Sequence, residues 1–466
     1  MPKFNVAIMS VVSPRSFAYC TGAGLSGLAF GIGLQKYAPD IDFEIYEAAT
    51  QLSEIGAGVG IQQRTWTIMQ AMGIEEDLLK ITEHGEDCSY PIVQRKSDQA
   101  EGVEVHRIQN MERNYSFHRA ELQKVYLAKL RPRQVHVGKR LASYTQPEDG
   151  TGPIELQFED GTTATCDFLF GCDGVRSRVR AVMYSQLAER AEAAGNAEEA
   201  AELRALIPPL FSGGVVHRCL IRKETLPAEA VGHPAFNHPG IVLYGGKNMH
   251  LITYPISSGR ILNVGAGISF PGKEGVPYQG PWTRPVGREE IVKYFEGWEP
   301  DVQEVLKYVD GGILWAIHVT GKLPTYIDGQ VALVGDAAHA MMHHLGSGSG
   351  QCYEDAWMLA QFLGHANITK ENASVALRVY DEIRRPFAQR VADLSIRAAE
   401  LHHFNGPELA WLTPELSATG TAMTDEQLKG IGEGTERIRA WRDHSSLIEE
   451  NAAAMRRMDE ALAAAA

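Results

Sequence analysis

The chain has 466 residues, with 44 Lys and Arg against 58 Asp and Glu, a formal net charge of −14. At about 150 residues per domain this leaves room for roughly three units and a substantial core. With 44% hydrophobic and 22% charged residues the composition excludes disordered and collagen-like classes, and the acidic balance argues against a nucleic-acid partner. Six cysteines are too sparse for a disulfide framework and form no C-x-x-C pair, so free thiols in a reducing compartment are expected. No apolar run is long enough to cross a membrane, and Asn5 and Ser10 interrupt the only N-terminal stretch that resembles a signal peptide. A cytoplasmic protein is the expectation, and no repeat points to a solenoid or propeller.

Val6-Ala7-Ile8 forms a short apolar strand, and Asp42-Phe43-Glu44-Ile45-Tyr46-Glu47 alternates as a half-buried strand does. Between them Leu28, Ile32 and Leu34, with Gly27, Ala29 and Gly31, predict a helix packed closely on a sheet, completing a β-α-β unit. That helix is opened by Gly22-Ala23-Gly24-Leu25-Ser26-Gly27. The glycines Gly22, Gly24 and Gly27 permit a tight turn and a close approach of a pyrophosphate to backbone amides at the positive helix end. Glu47 follows Gly27 by 20 residues, where a carboxylate binds adenosine ribose hydroxyls and favours a dinucleotide lacking a 2′-phosphate. One segment departs from the pattern. The 13 residues from 9 to 21, Pro14 among them, separate Ile8 from Gly22, where about two to six are usual. They are a genuine loop, or Val11-Val12 replaces part of the strand, or the segment is a gene-model error such as an unspliced intron. The last is the hypothesis adopted, and a mature message containing the segment overturns it.

Phe168-Leu169-Phe170 reads as a second buried strand, followed by Gly171-Cys172-Asp173-Gly174 and a helix start rich in Ser and Arg. Asp173 at that strand end suits phosphate or nicotinamide-cofactor contacts, with a plain Asp-Gly turn weighing equally. Residues 184–209 predict a helical hairpin, with Gly195 as a stop and Asn196 followed by Glu199 as a capping box. From 211 to 268 strand-like runs dominate and predict a mixed sheet in a second domain. Val331-Ala332-Leu333-Val334-Gly335-Asp336 then puts Asp336 at the carboxyl edge of a sheet, where ligands bind. Leu345-Gly346-Ser347-Gly348-Ser349-Gly350 follows, offering amides and a helix N-terminus to an electron-rich ring edge. Long helices complete the chain, with an Ala-rich tail from about residue 405. His339 and His343 are four apart but lack a helix signal and an acidic partner, so no metal site is assigned. The glycine-rich run also lacks the central serine of a nucleophile elbow, which leaves a hydrolase unsupported.

Together these segments, with Tyr380-Asp381-Glu382-Ile383-Arg384-Arg385-Pro386, resemble the single-component FAD-dependent aromatic hydroxylases, in particular their salicylate hydroxylase-like fungal branch. The resemblance covers most of the chain. It implies an α/β fold in which a Rossmann-like FAD-binding domain (1–85, 115–183 and 321–400) is interleaved with a mixed-sheet substrate domain (86–114 and 184–320), followed by a C-terminal helical segment (401–466). Glu47 would hold the adenosine ribose, Gly60 and Arg119 would contact FAD, Asp336 the ribityl chain, and Gly348 and Ser349 would offer amides to the isoalloxazine. Arg218, in Val215-Val216-His217-Arg218, would pair with a substrate carboxylate or phenolate, and His318 would line the ring pocket. The implied reaction uses NAD(P)H, bound transiently, and O2 to form a flavin hydroperoxide that hydroxylates a phenolic or aromatic carboxylic acid; with salicylate, carbon dioxide is released. A homodimer is left open. Two positions depart from the family: His217 stands where an aromatic residue is usual, and Met342-His343-His344 where a proline precedes the histidine. The rival reading is an inert flavoprotein-like chain whose 9–21 insertion impairs FAD binding.

Overall fold

Strands buried on both faces assemble into parallel sheets, and two such runs lie side by side at the centre of this chain. In the computed structural model, which describes residues 2–10, 24–51, 58–82, 91–108, 114–147, 152–257, 259–443 and 445–465, Asn5–Ser10 pairs in parallel with Asp42–Glu47 on one side and Phe168–Cys172 on the other. Val331–Leu333 extends the sheet in parallel beyond Phe168–Cys172, and Val135–His136 extends it beyond Asp42–Glu47. Ile327–Asp328 closes one edge antiparallel. The sequence reading ended the first strand at Ile8; the strand runs on to Ser10, because Met9 and Ser10 continue the ladder opposite Tyr46 and Glu47. Residues 11–21 of the insertion, with Val11-Val12, lie outside the described residues, as does Gly22.

The helix Leu25–Tyr37 crosses between the first two strands. Its glycines replace side chains for which there is no space. A Cβ at Gly31 would stand 2.9 Å from Phe43 Cε2 and 3.1 Å from both Ile45 Cδ1 and Leu130 Cδ2, and one at Gly33 would stand 2.9 Å from Ala360 Cβ. The helix thus touches the sheet on one side and the helix Gly348–Leu363 on the other.

The second sheet is mixed and eight-stranded, in the order 283–286, 312–319, 210–222, 261–269, 249–256, 241–246, 92–96, 103–108, as the strand-like runs predict. Among the described residues of this sheet, only Ile92–Lys96 and Ile241–Gly246 pair in parallel. Along Leu210–Arg222, Val215, Cys219 and Ile221 face a core of their own, so the alternating residues Val216 and Arg218 face the opposite way. A two-stranded ribbon, Gly58–Gln62 with Asn114–His118, stands beside the helix Gly348–Leu363.

The expected helical hairpin is present as Arg178–Ala193 and Ala197–Ala205. Its capping differs from the reading. Asn196 accepts no backbone N–H; its side-chain amide donates to Glu199 at 3.2 Å. Ser177 caps the first helix instead, accepting from Arg180 N–H. At the far end of the chain, Leu447, Met458 and Leu462 of the helix Leu447–Ala465 join the buried cluster of the parallel sheet.

Replacing Gly31 by Val is expected to destabilise the fold by about 1–3 kcal/mol through overpacking, outweighing the gain in helix propensity. The urea midpoint should fall at constant slope; an unchanged midpoint would show that helix and strands are not in contact there.

Candidate active site

Four segments that are distant in sequence end at one cavity of about 360 Å³. The ribbon Gly58–Gln62 brings Gly60, and the strand Asn114–His118 leads into the helix that begins at Arg119, whose side chain is buried. The strand Val331–Leu333 ends at Gly335, whose φ of +64° turns the chain so that Asp336 opens the short helix Asp336–His339. A Cβ at Gly335 would stand 2.8 Å from Cys352 Sγ, so only glycine passes there. Gly348 and Ser349 open the helix Gly348–Leu363, where backbone N–H groups have no intrahelical acceptor and carry partial positive charge. Ser349 also donates to Gly60 O at 3.4 Å, tying the ribbon to that helix end.

The mixed sheet supplies the other wall with Arg218, Tyr254, Trp315 and His318. Burial lowers the Arg218 guanidinium to about 10, while the Tyr254 phenol nearby acts the other way; it therefore stays charged at neutral pH. His318 stacks on Trp282 with ring centroids 3.4 Å apart, and the Arg176 guanidinium lies over that indole at 3.7 Å. Burial first, then Arg176, pushes His318 down to about 4. Its neutral ring faces Ala316 O with Nδ1 at 2.9 Å, a contact that requires the proton on Nδ1 and leaves Nε2 as an acceptor.

Of the residues singled out in the sequence, Gly60, Arg119, Arg218, His318, Asp336, Gly348 and Ser349 line this cavity. Gly24 and Glu47 stand instead at the carboxyl edge of the parallel sheet. Gly24 caps the helix Leu25–Tyr37 with φ +89°, and Gly27 packs against the first strand, 3.2 Å from Ile8 Cγ2 for an added Cβ. Glu47 is fully buried at its strand end, with Oε1 accepting from Ala49 N–H at 2.7 Å. Asp173 is not on the cavity wall; its Oδ2 accepts from the N–H groups of Arg178 and Val179 at 2.6 and 3.0 Å, holding the start of the helix Arg178–Ala193. His217 faces away from Arg218, with its ring 6.0 Å from Tyr294.

The sequence reading missed the residues that hold the Gly335-Asp336 turn. Asp355 is fully buried and accepts from Gly335 N–H at 2.9 Å, lies 2.6 Å from His339 Nε2, and accepts from Arg384 Nε at 2.8 Å. Arg384 also binds Glu354, which in turn binds Arg64, and Arg64 reaches Glu450 near the start of the final helix. The signal was an acidic pair inside an otherwise apolar helix, which demands a buried partner.

A nucleotide-type parallel sheet with a positively turned glycine at its first helix, a buried acid at the second strand end, and a cavity between this sheet and a second one define a flavoprotein fold. These features fit FAD: Gly24 opens the first helix with φ +89°, Gly27 lets that helix lie close on the first strand, and the cavity wall joins Asp336 to helix N–H groups. The family model described as FAD binding domain matches residues 18–207 and 316–395. An FAD-dependent monooxygenase of Strobilurus tenacellus is 31% identical, covering 90% of this chain and 93% of its own. A salicylate hydroxylase of Pseudomonas putida is 32% identical over 83% of this chain and 86% of its own. Among solved structures, a salicylate hydroxylase substrate complex superposes with a TM-score of 0.76 at 26% identity, over 97% of this chain and 98% of that one. The chain belongs to this FAD-binding family and is a flavoprotein monooxygenase of the salicylate hydroxylase type. Among the described residues no helix is long and apolar enough to cross a membrane.

Burial opposes ionisation of Asp355, but His339 and Arg384 outweigh it and hold the carboxyl at about 2. A carboxyl depressed on folding adds stability above its unfolded value, which is lost as pH falls through the folded one. Asp355→Asn should therefore cost about 3–5 kcal/mol at neutral pH by leaving Arg384 short of a partner. The deficit should shrink between about pH 4 and about pH 2. Urea midpoints across that window check this; a pH-independent deficit would remove Asp355 from the charge network.

Proposed function

We propose that this chain hydroxylates a phenolic or aromatic carboxylic acid of the salicylate class, consuming NAD(P)H and O2. The observation that carries the reading is that one cavity is walled both by the Asp336, Gly348 and Ser349 segment and by Arg218 of the mixed sheet. FAD, when bound, supplies the oxygen-activating chemistry, and the protein supplies binding, orientation and exclusion of water. Glu47 holds the adenosine ribose, Gly24 and Gly27 admit the pyrophosphate, Arg119 and Asp336 contact the cofactor's middle, and the amides of Gly348 and Ser349 face its ring. Asp173 serves the site indirectly, by fixing the helix that begins at Arg178.

Arg218, charged at neutral pH and half-buried on the cavity wall, pairs with the substrate carboxylate or phenolate through its planar fork. His318, lowered to about 4, is too weakly basic to abstract a phenol proton at pH 7. Its Nε2 instead accepts a hydrogen bond from the substrate hydroxyl and sets the ring's orientation. The names of the similar hydroxylases support a salicylate-like substrate, and hydroxylation at the carboxylate-bearing carbon releases carbon dioxide. The rival, an inert chain whose 9–21 insertion impairs FAD binding, differs in an immediate way: its purified protein would be colourless.

A panel of hydroxybenzoates should stimulate NAD(P)H oxidation with matching oxygen uptake; substrate-independent or oxygen-insensitive turnover overturns the reading. Arg218→Ala should raise the apparent dissociation constant for a carboxylated phenol about 10- to 100-fold, the worth of a charge-assisted hydrogen bond, with flavin content intact. Unchanged saturation would take Arg218 out of the substrate site. Asp336→Ala should be purified with reduced FAD occupancy, and full yellow colour in that variant would contradict its assigned contact.

A further inference from the structure

Five histidines converge beside the cavity, and none is needed by the reaction proposed above. His250 comes from the strand Met249–Ile256, His343 and His344 from the single turn His343–Leu345, and His402 and His403 from the end of the helix Ser374–His402. The rings of His250 and His403 stack 4.9 Å apart, and the ring of His344 lies 5.3 Å from the first and 5.1 Å from the second. One nitrogen each from His250, His344 and His403 lies within 4.8 Å of the other two, the one such trio among the described residues.

We propose that His250, His344 and His403 form a binding site for a divalent transition-metal ion of the Zn2+ class. Three imidazoles are borderline-soft donors that suit Zn2+, Co2+, Ni2+ and Cu2+ and discriminate against Mg2+ and Ca2+, which take oxygen ligands. The sheet makes room for the His250 ring. Gly267 sits directly opposite His250 in the ladder, and a Cβ there would stand 2.2 Å from His250 Cε1. Polar atoms around the trio are left unsatisfied among the described residues: His344 Nδ1, His402 Nδ1 and both nitrogens of His343 are buried with no hydrogen-bond partner, and each neutral ring keeps one nitrogen as an acceptor.

The present geometry shows how the donors would be released. His250 Nδ1 and His403 Nε2 are 2.7 Å apart, a hydrogen bond in which one nitrogen carries the proton. Ser269 Oγ lies 2.8 Å from His403 Nδ1. With the His403 proton on Nδ1, donated to Ser269, Nε2 becomes a ligand, and the serine fixes ring and tautomer as a supporting partner does in metal sites. His250 moves its own proton to Nε2 and frees Nδ1, so the exchange is neutral overall. Tetrahedral ligands at about 2.05 Å stand about 3.3 Å apart, so the two rings must part by about 0.6 Å. His344 lines the cavity, which leaves the fourth position to water or to an anionic oxygen entering from that side.

The test uses the FAD-loaded enzyme after chelation and desalting. Titration with Co2+ should give one ion per chain and ligand-field bands to the red of the flavin absorption, abolished by Zn2+ and unaffected by Mg2+. His403→Asn and His344→Asn should each weaken binding by at least about tenfold, with folding followed by circular dichroism. If His403→Asn does not fold, the partly exposed His344 provides the decisive variant. Absence of the bands, or Co2+ binding that the variants leave unaltered and that therefore belongs to histidines outside this trio, overturns the proposal.

Discussion

The geometry of the cavity depends on one buried carboxylate. Asp355 is the point at which the Gly335-Asp336 turn, the helix Gly348–Leu363 and the helix Ser374–His402 are joined, through Gly335 N–H, His339 and Arg384. An ionised group so deeply buried is tolerated only when its oxygens are all engaged. Because one of its donors is the backbone N–H immediately before Asp336, the turn cannot drift relative to the helix that offers its N-terminal amides. Arg384 spreads the same constraint to Glu354 and from there to Arg64 and Glu450, so the helix Gln63–Met72 that follows the ribbon and the final helix are tied to the same charge cluster.

Much of the fold was legible because it is written in local periodicity. The alternation in 42–47, the glycine-spaced helix after Gly24, the apolar run 168–170 and the strand series from 211 to 268 each state their own burial, and the helical hairpin follows from its Ala and Glu content and Gly195. What stayed hidden depends on pairs far apart in the chain. Arg64 and Glu354 are separated by 290 residues and Arg384 lies 30 beyond Glu354, and no spacing rule links them. The histidine cluster is hidden for the same reason, since three separate segments contribute to it. Local ambiguity accounts for Asn196, whose amide turned to Glu199 rather than to the backbone.

On the mixed sheet a single strand separates two tasks by its pleat. Val215, Cys219 and Ile221 enter the domain's own core, while Arg218 is presented to the cavity between them. The neighbouring His217 shows the cost of reading such a strand without its faces: its identity matters to the packing near Tyr294, not to the ring pocket. His318 and Trp282 form a flat, stacked wall whose outer face is covered by Arg176, so the aromatic surface there is rigid and cationic on its solvent side.

The interleaving of the two sheets also dictates an order of assembly during synthesis. Six strands of the mixed sheet lie in one continuous stretch between 210 and 319 and can begin pairing as soon as that stretch has emerged. The parallel sheet cannot do so: its central strands are made first, yet Val331–Leu333 is needed to cover Phe168–Cys172. The early strands must therefore wait with one apolar edge open while the intervening domain is translated, the interval in which such a chain most needs protection from aggregation.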